Sequence, residues 1–203
     1  MMSHIILASS SPIRRKLLSE CGISFEICKP TIDERSVETA AGGDSLPPDD
    51  LALILAIAKA QDVSEKNQGA VVIGCDQVLS VPNENAPAML HKVEDMARAR
   101  RQLLTLRGRT HTLHTAVVIV SDAAVQFEYV DRAHMTMHEL APEEIGRYLS
   151  LAGDDVMGSV GCYQLEGPGA RLFKKIDGDY FTILGLPLIP LLNALRNLGH
   201  ADL

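Results

Sequence analysis

The 203-residue chain lacks the features of several common protein classes. It has no excess of positive charge, because its formal net charge is -7. Proteins that bind nucleic acids without sequence preference depend on cationic surfaces that neutralise phosphates, so we expect no nucleic-acid partner. No uninterrupted apolar run approaches the roughly 20 residues of a membrane span, and the apolar start at residues 5–8 is too short for a signal-peptide core. These absences predict a cytoplasmic protein without a membrane partner.

The sequence also lacks a cysteine pattern typical of disulfides or zinc sites, and it lacks several common motifs of nucleotide-binding proteins and hydrolases. The spacing of the four cysteines fits neither a disulfide framework nor a zinc site. There is no Gly-x-x-x-x-Gly-Lys-Ser/Thr loop, no Gly-x-Gly-x-x-Gly fingerprint and no Gly-x-Ser-x-Gly elbow, which disfavours P-loop, Rossmann and α/β-hydrolase chemistry. With 46% hydrophobic residues, the chain can fill one core or two small lobes that share a sheet. We predict a single domain over residues 1–203.

A hydroxyl-rich turn between a short apolar strand and a basic helix is the most informative feature that is present. Three serines, residues 9–11, follow the strand, and after Pro12 comes a helix start that carries Arg14, Arg15 and Lys16. Free N–H groups at a helix start attract phosphate, and guanidinium groups bind phosphate oxygens in pairs. Cations oppose the helix dipole here, which suggests an anionic ligand. The alternative is a solvated loop with a helix cap.

Hydrophobic periodicity predicts strands interleaved with helices along the rest of the chain. After a helix at residues 13–21 and a strand near Phe25 and Ile27, we predict a long polar loop at residues 29–50. A helix capped by Asp49 or Asp50 follows. Its predicted apolar stripe consists of Leu51, Ile54, Leu55 and Ala58, and leaves Lys59 near the helix end. A buried strand at residues 71–74 follows, from whose end Asp76 emerges.

The second half predicts a hairpin between helices. We expect a helix at residues 94–106, strands at residues 110–121 and 125–138 joined by a short turn, and a helix from Pro142 to near Gly153. A strand near residues 172–176 and a helix at residues 187–199 complete the pattern. Because helices alternate with strands that include a long hairpin, the sequence favours a mixed α/β sheet.

Several polar residues have both a functional and a structural interpretation. Asp76, at a predicted strand end, could be catalytic or could stabilise a turn. Asp33 and Glu34 could cap a turn or bind a divalent cation. Lys59 and Lys92 lie beside these segments but could be ordinary surface lysines. His134 and His138 are predicted on one strand face, where shared ligation or simple exposure are both possible.

Together these segments resemble the Maf family of nucleoside triphosphate pyrophosphatases over nearly the whole chain. The matching motifs are Leu7-Ala8-Ser9-Ser10-Ser11-Pro12-Ile13-Arg14-Arg15, Ile32-Asp33-Glu34, Ala58-Lys59-Ala60, Gly74-Cys75-Asp76-Gln77-Val78, Gly108-Arg109-Thr110-His111, Glu166-Gly167-Pro168-Gly169 and Gly185-Leu186-Pro187-Leu188. The resemblance implies a mixed, twisted α/β sheet with flanking helices and two lobes around a central cleft, related to inosine triphosphate pyrophosphatases. It also allows a homodimer.

The resemblance implies hydrolysis of the bond between the α and β phosphates, which releases a nucleoside monophosphate and pyrophosphate. Asp76 matches the family's proton acceptor. Glu34 matches a site carboxylate that, with Asp76, would support a divalent cation such as Mg²⁺, Mn²⁺ or Co²⁺. The positions that would bind the triphosphate are Ser9, Arg14, Lys59 and Lys92, with Arg15 as a further candidate.

Three positions bear on the base. In the branch similar to dTTP and UTP pyrophosphatases, an arginine would replace Ile13, a threonine Gln77 and a glutamine Glu166. Gln77 and Glu166 instead match the branch similar to 7-methyl-GTP pyrophosphatases, and a carboxylate would favour a methylated, cationic purine. Ile13 stands where that branch usually has an aromatic residue.

Two alternatives remain open for the function. The first is a pyrophosphatase that acts on dTTP and UTP or has broad specificity. The second is a non-catalytic regulator, because the family resemblance carries an association with septum formation and arrest of cell division.

Overall fold

The computed structural model describes residues 4–84 and 87–200. Its strands are β1 Ile5–Ala8, β2 Glu26–Ile27, β3 Val71–Val81, β4 Ala88–Leu90, β5 Thr110–Ser121, β6 Ala124–Met137 and β7 Phe173–Asp177. Its α-helices are α1 Pro12–Glu20, α2 Glu34–Ala41, α3 Pro48–Lys66, α4 Met96–Leu106, α5 Pro142–Ala152, α6 Tyr180–Ile183 and α7 Leu188–Asn197. Short 3-10 helices occupy Gly43–Ser45, Gly153–Gly158 and Pro168–Leu172.

Within these described residues the strands form one seven-stranded sheet in the order β2-β1-β3-β5-β6-β7, with β4 paired to β3. The strand β1 runs parallel to both β2 and β3, whereas β4 runs antiparallel to β3 and β7 antiparallel to β6. The sheet is therefore mixed, and helices separate most of its strands along the chain. This confirms the predicted mixed α/β sheet with flanking helices.

The described chain divides into two compact units. The first comprises residues 4–77, 115–131 and 185–200, and the second comprises residues 78–114 and 132–184 apart from 85–86. In the first unit, β1 is buried along its whole length, and α1 contributes Leu17 and Leu18 to the interior. In the second unit, a separate apolar core includes Leu103, Met135 and Leu172. The single domain over residues 1–203 stays a prediction.

The predicted loop at residues 29–50 is wrong, because α2 and a 3-10 helix lie within it. Asp33 begins α2 as its N-cap: its carboxylate accepts hydrogen bonds from the backbone N–H of Arg35 at 3.1 Å and of Ser36 at 3.4 Å. None of the residues of α2 is buried, and its apolar residues at helical spacing are only Val37, Ala40 and Ala41. The prediction missed the helix because so short a set of small apolar residues in a polar segment is a weak periodic pattern.

The helix α3 also differs from the prediction. It begins after Pro47, which places Asp49 and Asp50 in its first turn rather than at the cap. The helix continues to Lys66, so Lys59 lies well inside it rather than near its end. Its buried face consists of Leu51, Ala52, Leu55, Ala56, Lys59, Ala60, Val63 and Ser64, whereas the predicted stripe members Ile54 and Ala58 are only partly buried. Small alanines on this face allow the helix backbone to lie close to its neighbours.

The strand β3 does not end before Asp76. It runs on to Val81, so Asp76 lies in the middle of a strand, which corrects the prediction that it emerges from the strand end. The sequence Cys75-Asp76-Gln77 looks like the start of a turn, but Val78, Leu79 and Val81 beyond it are buried. Asp76 interrupts the apolar pattern of the sequence but not the strand, because a positively charged side chain beside it compensates the charge of its buried carboxylate.

The hairpin of β5 and β6 is confirmed. Its turn uses two residues with left-handed backbone, Asp122 with φ of 49° and Ala123 with φ of 61°, as two-residue hairpins require. The strand β6 ends at Met137, with a register shift between Thr136 and Met137. His138 lies one residue beyond that end. Like His134 it is exposed, whereas Met135 and Met137 between them are buried.

The prediction missed two short elements, β4 and α6, which have only three and four residues. Cys21, Cys28, Cys75 and Cys162 are all free thiols. No helix in residues 4–84 and 87–200 has both the length and the apolar character that crossing a bilayer requires.

Candidate active site

The central part of the candidate site is where β1 and β3 lie side by side. Ala8 pairs with Gly74 in this parallel ladder, so Ser9 and Cys75 follow at neighbouring positions. The helix α3 approaches β3 very closely at this point: a Cβ atom on Gly74 would lie 2.3 Å from the backbone oxygen of Ala56. Only a glycine permits this approach. As a result, the residue one turn after Ala56 on α3 lies with its side chain over β3.

That side chain is Lys59, whose ammonium group lies between two carboxylates. The Lys59 Nζ atom is 2.5 Å from Asp76 Oδ1 and 2.9 Å from Glu34 Oε1. Lys59 and Asp76 are both 7% exposed, whereas the Glu34 side chain is 57% exposed. Buried charges are tolerated when they are paired, and here one cation serves two anions. The cluster carries a formal excess of one negative charge and opens to solvent at Glu34.

Arg14 is the second cation of the site, and backbone atoms hold its guanidinium group. Its Nε atom donates to the carbonyl oxygen of Gly185 at 2.7 Å, and its Nη1 atom donates to the carbonyl oxygen of Cys75 at 3.0 Å and to Ser9 Oγ at 3.3 Å. These bonds to described residues do not use the Nη2 group. The guanidinium is therefore fixed in orientation while it keeps donors for an anionic ligand.

The basic turn at the start of α1 has the predicted geometry. Ser11 is the N-cap residue and Pro12 the first helical residue, and the Ser11 side chain makes no cap hydrogen bond. The Ser11 N–H instead donates to Ser9 Oγ at 3.2 Å. Arg15 is exposed, and Lys16 pairs with Glu20 at 3.8 Å on the helix surface. Of the three predicted basic residues, Arg14 alone makes hydrogen bonds to Ser9 and Cys75.

The three residues assigned to the base lie in different places. Ile13 is half-buried on α1, in the first unit. Gln77, also in the first unit, donates from its Nε2 atom to Oγ1 of the buried Thr115 at 2.9 Å. Glu166 is exposed and belongs to the second unit, as does Lys92, which lies between β4 and α4. The roles of Glu166 and Lys92 therefore stay predictions.

Sequence reasoning missed the partners that orient Arg14 and Gln77. The Gly185 carbonyl belongs to a motif noted only for its resemblance, and a backbone oxygen leaves no residue-type signal. Thr115 lies within an apolar strand, where a threonine is ordinary. His111, part of another matching motif, is fully buried in the second unit, where its Nε2 atom shares a hydrogen bond with the Tyr163 hydroxyl.

The two carboxylates of Asp76 and Glu34 suit a hard divalent cation. The described residues contain no cluster of three or more His, Cys, Asp and Glu side chains. Mg²⁺ commonly binds through one or two carboxylates together with substrate phosphates, and it keeps several waters. A two-carboxylate set therefore fits a cation that binds together with a phosphorylated ligand rather than in a cage of protein ligands.

The described chain thus combines a mixed α/β fold with a buried ionic cluster beside a guanidinium group of fixed orientation. The chain belongs to the Maf family: the family model described as "Maf-like protein" matches residues 4–198. A 7-methyl-GTP pyrophosphatase of Brucella suis is 54% identical over 97% of this chain and 96% of its own length. A nucleoside triphosphate pyrophosphatase of Nitrobacter hamburgensis is 46% identical over 98% of this chain and 96% of its own length.

The solved structures that the chain matches include one titled as a nucleoside-triphosphatase, dITP/XTP pyrophosphatase, from Mycobacterium abscessus. It is 15% identical, covers 97% of this chain and 94% of its own, and has a TM-score of 0.42.

Proposed function

We propose that this protein is a nucleoside triphosphate pyrophosphatase that hydrolyses the α-β phosphate bond and releases a nucleoside monophosphate and pyrophosphate. The observation that carries the proposal is the cluster of Asp76, Lys59 and Glu34, with the guanidinium group of Arg14 bonded to the carbonyl oxygen of Cys75, the residue before Asp76. Membership in a family whose relatives are named pyrophosphatases supports the same reaction.

Asp76 acts as the proton acceptor in this mechanism. A water molecule attacks one phosphorus atom of the α-β bridge, its proton passes to the Asp76 carboxylate, and the bridging oxygen leaves with the other phosphoryl group. The Lys59 ammonium at 2.5 Å pairs with an ionised carboxylate, which is the form that can accept a proton. Because Asp76 lies inside β3, its backbone stays fixed while the substrate binds.

The triphosphate binds to the cationic and hydroxyl groups around this base. Arg14, oriented by two backbone carbonyls, offers its remaining N–H donors to phosphate oxygens, and Ser9 lies against it. Arg15 is exposed at the same helix start and adds positive charge. We propose Lys92 as a further phosphate ligand. These groups stabilise the negative charge that develops on the departing pyrophosphate.

The divalent cation, Mg²⁺, Mn²⁺ or Co²⁺, would bind to the carboxylates of Asp76 and Glu34. When bound, it polarises phosphate oxygens and offsets their charge. Glu34 is suited to this role because it begins α2, where the Asp33 cap fixes the backbone, and its side chain is more than half exposed. The remaining chemistry depends on residues of the chain.

We assign the preferred substrate to modified purine nucleotides such as 7-methyl-GTP. A methylated guanine carries positive charge, which the carboxylate of Glu166 would favour, and the Gln77 amide would bind polar atoms of the base. Ile13 supplies apolar contact. Relatives named 7-methyl-GTP pyrophosphatase support this assignment. The same-class alternative, a dTTP/UTP or broad-specificity enzyme, predicts equal or faster turnover of pyrimidine nucleotides.

A substrate panel tests the proposal. We expect purified protein with Mg²⁺, Mn²⁺ or Co²⁺ to release pyrophosphate, rather than inorganic phosphate, from 7-methyl-GTP faster than from GTP, UTP or dTTP. Removing a general base typically costs about 100-fold or more, so Asp76→Asn should lose at least that much in kcat. The matched control Asp154→Asn, an exposed aspartate of the second unit, should keep the wild-type rate.

Two outcomes would redirect the assignment. If no nucleotide in the panel yields pyrophosphate, the catalytic proposal is wrong. The non-catalytic regulator would then be favoured, provided that Asp76→Asn leaves the effect of the protein on cell division unchanged.

A further inference from the structure

We infer that the Lys59 ammonium and a divalent cation compete for the same pair of carboxylates, so that nucleotide phosphates promote cation binding by drawing Lys59 away. This inference rests on the proposed function, because it assigns a positioning role to Lys59 at that site. It predicts that Lys59 sets the order in which the nucleotide and the divalent cation bind most readily, with the nucleotide first.

The geometry of the three side chains carries the competition. One nitrogen lies within 3 Å of both Asp76 Oδ1 and Glu34 Oε1, so the ammonium spans the gap between the two carboxylates. A Mg²⁺ ion binds carboxylate oxygens at about 2.1 Å. An ion bound to Asp76 Oδ1 would therefore come within about 5 Å of Lys59 Nζ, where like charges repel strongly in a partly buried setting.

The burial of Lys59 and Asp76 strengthens the repulsion between the ammonium group and a bound cation. The side chain of Lys59 is 9% exposed and that of Asp76 is 10% exposed, so little water screens a second cation beside the ammonium. Two carboxylates balance one ammonium with one negative charge to spare, but they do not balance an ammonium together with a divalent cation. Either the cation binds weakly or Lys59 must leave.

A triphosphate gives Lys59 an alternative partner. The lysine side chain is long and flexible, its ammonium is a mobile point charge, and phosphate oxygens are strong acceptors. When Lys59 turns to a phosphate, both carboxylates become available to the cation, which also binds the phosphates. Thermodynamic linkage requires the effect to be reciprocal: the nucleotide strengthens cation binding by the same factor as the cation strengthens nucleotide binding.

Cation binding by the full-length protein without turnover tests the inference. We expect Lys59→Met, which keeps a similar side-chain length but removes the charge, to bind Mn²⁺ about tenfold more tightly than wild type, as measured by electron paramagnetic resonance. In wild type, an α,β-methylene analogue of the nucleotide should tighten Mn²⁺ binding, and this gain should shrink in Lys59→Met. A lysine that only binds phosphate would leave Mn²⁺ affinity unchanged in the absence of nucleotide.

The control variant is Lys66→Met on the same helix. Lys66 Nζ is also paired with a carboxylate, Asp62 Oδ1 at 2.6 Å, and the variant has the same net charge as Lys59→Met. We expect wild-type Mn²⁺ affinity from it, which would exclude a general effect of charge. Unchanged or weaker Mn²⁺ binding by folded Lys59→Met would overturn the inference.

A measurement on wild type covers the case in which Lys59→Met does not fold. The ¹⁵N signal of the Lys59 ammonium should lose its protection from exchange with water when Mg²⁺ and the analogue saturate the site, whereas that of Lys66 should not change. An unaltered Lys59 signal at saturation would contradict the inference. Both tests measure binding, so they are separate from the pyrophosphate assay: competition without turnover would refute the proposed function alone.

Discussion

The buried imidazole of His111 should make the stability of this protein depend on pH in a way that one substitution can isolate. His111, on β5, is fully buried and packs against the rings of Tyr163 and Phe173, with ring centroids 5.6 and 6.0 Å away. Its Nε2 atom hydrogen-bonds to the Tyr163 hydroxyl at 2.7 Å. Its Nδ1 atom is buried and has no hydrogen-bond partner among the described residues. Burial lowers the pKa of His111 from 6.5 to about 3.

The direction of the effect follows from the two pKa values. Below pH 6.5 the histidine of the unfolded chain takes up a proton, whereas the folded protein resists protonation until about pH 3. Proton uptake therefore favours the unfolded state over this window, and the free energy of unfolding falls as the pH falls. At pH 5 the contribution of this one group is about 2 kcal/mol relative to pH 8. It grows further toward pH 3 and then levels off.

Urea unfolding of wild type and His111→Gln at pH 8 and pH 5 measures this contribution. Carboxylates also change stability over this range, but they contribute equally to both proteins. We expect wild type to lose about 2 kcal/mol more than His111→Gln between the two pH values, although the variant is less stable at both. The exposed His134 provides the control, because His134→Gln should keep the wild-type pH dependence. Equal losses in wild type and His111→Gln would refute the reasoning.

Two further substitutions test the packing of α3 and the orientation of the Gln77 amide, which we propose to bind the base. Gly74→Ala should lower the free energy of unfolding by about 3 kcal/mol in urea titrations, because the new methyl group would lie 2.3 Å from a backbone oxygen of α3. Gly158→Ala, with no atom near its new methyl group, should stay within about 0.5 kcal/mol of wild type, and equal losses would contradict this account. Thr115→Val removes the hydroxyl that accepts from Gln77, so KM for 7-methyl-GTP should rise about fivefold with little change in kcat, whereas Thr115→Ser should restore it. The same KM in both variants would show that this hydrogen bond does not orient Gln77.

The sequence predicted those elements whose conformation is determined by residues close to them in the chain. The strand β1 and the short hairpin turn between β5 and β6 each depend on neighbouring residues, and each is found where the pattern predicts it. The helix α2 is different, because none of its residues is buried and its apolar residues are few and small. Its start depends on one aspartate cap, so the hydrophobic pattern alone is weak evidence for it.

The arrangement of the site depends on contacts that no local pattern contains. Lys59 and Asp76 are 17 residues apart, and each looks like a surface residue when it is considered alone. A buried charge is stable only beside its partner, so neither burial can be predicted before the pairing is known. The same applies to Arg14, whose bond to Gly185 joins residues 171 positions apart. The resemblance to a family marks these positions, but it does not say which of them touch.

The fold and the candidate site depend on the same close approach of α3 to β3. Because Gly74 has no side chain, the backbone of Ala56 can lie against the strand, and the next turn of the helix carries Lys59 to within hydrogen-bond distance of Asp76. A larger residue at position 74 would push the helix outward and separate the two charges. The ammonium would then no longer compensate a carboxylate that the strand keeps buried, and the cost of that unpaired charge would add to the cost of the steric clash. The close packing of α3 at Gly74 and the ion pair between Lys59 and Asp76 therefore depend on each other. The chain meets both requirements because glycine, the smallest residue, lies two positions before the buried aspartate.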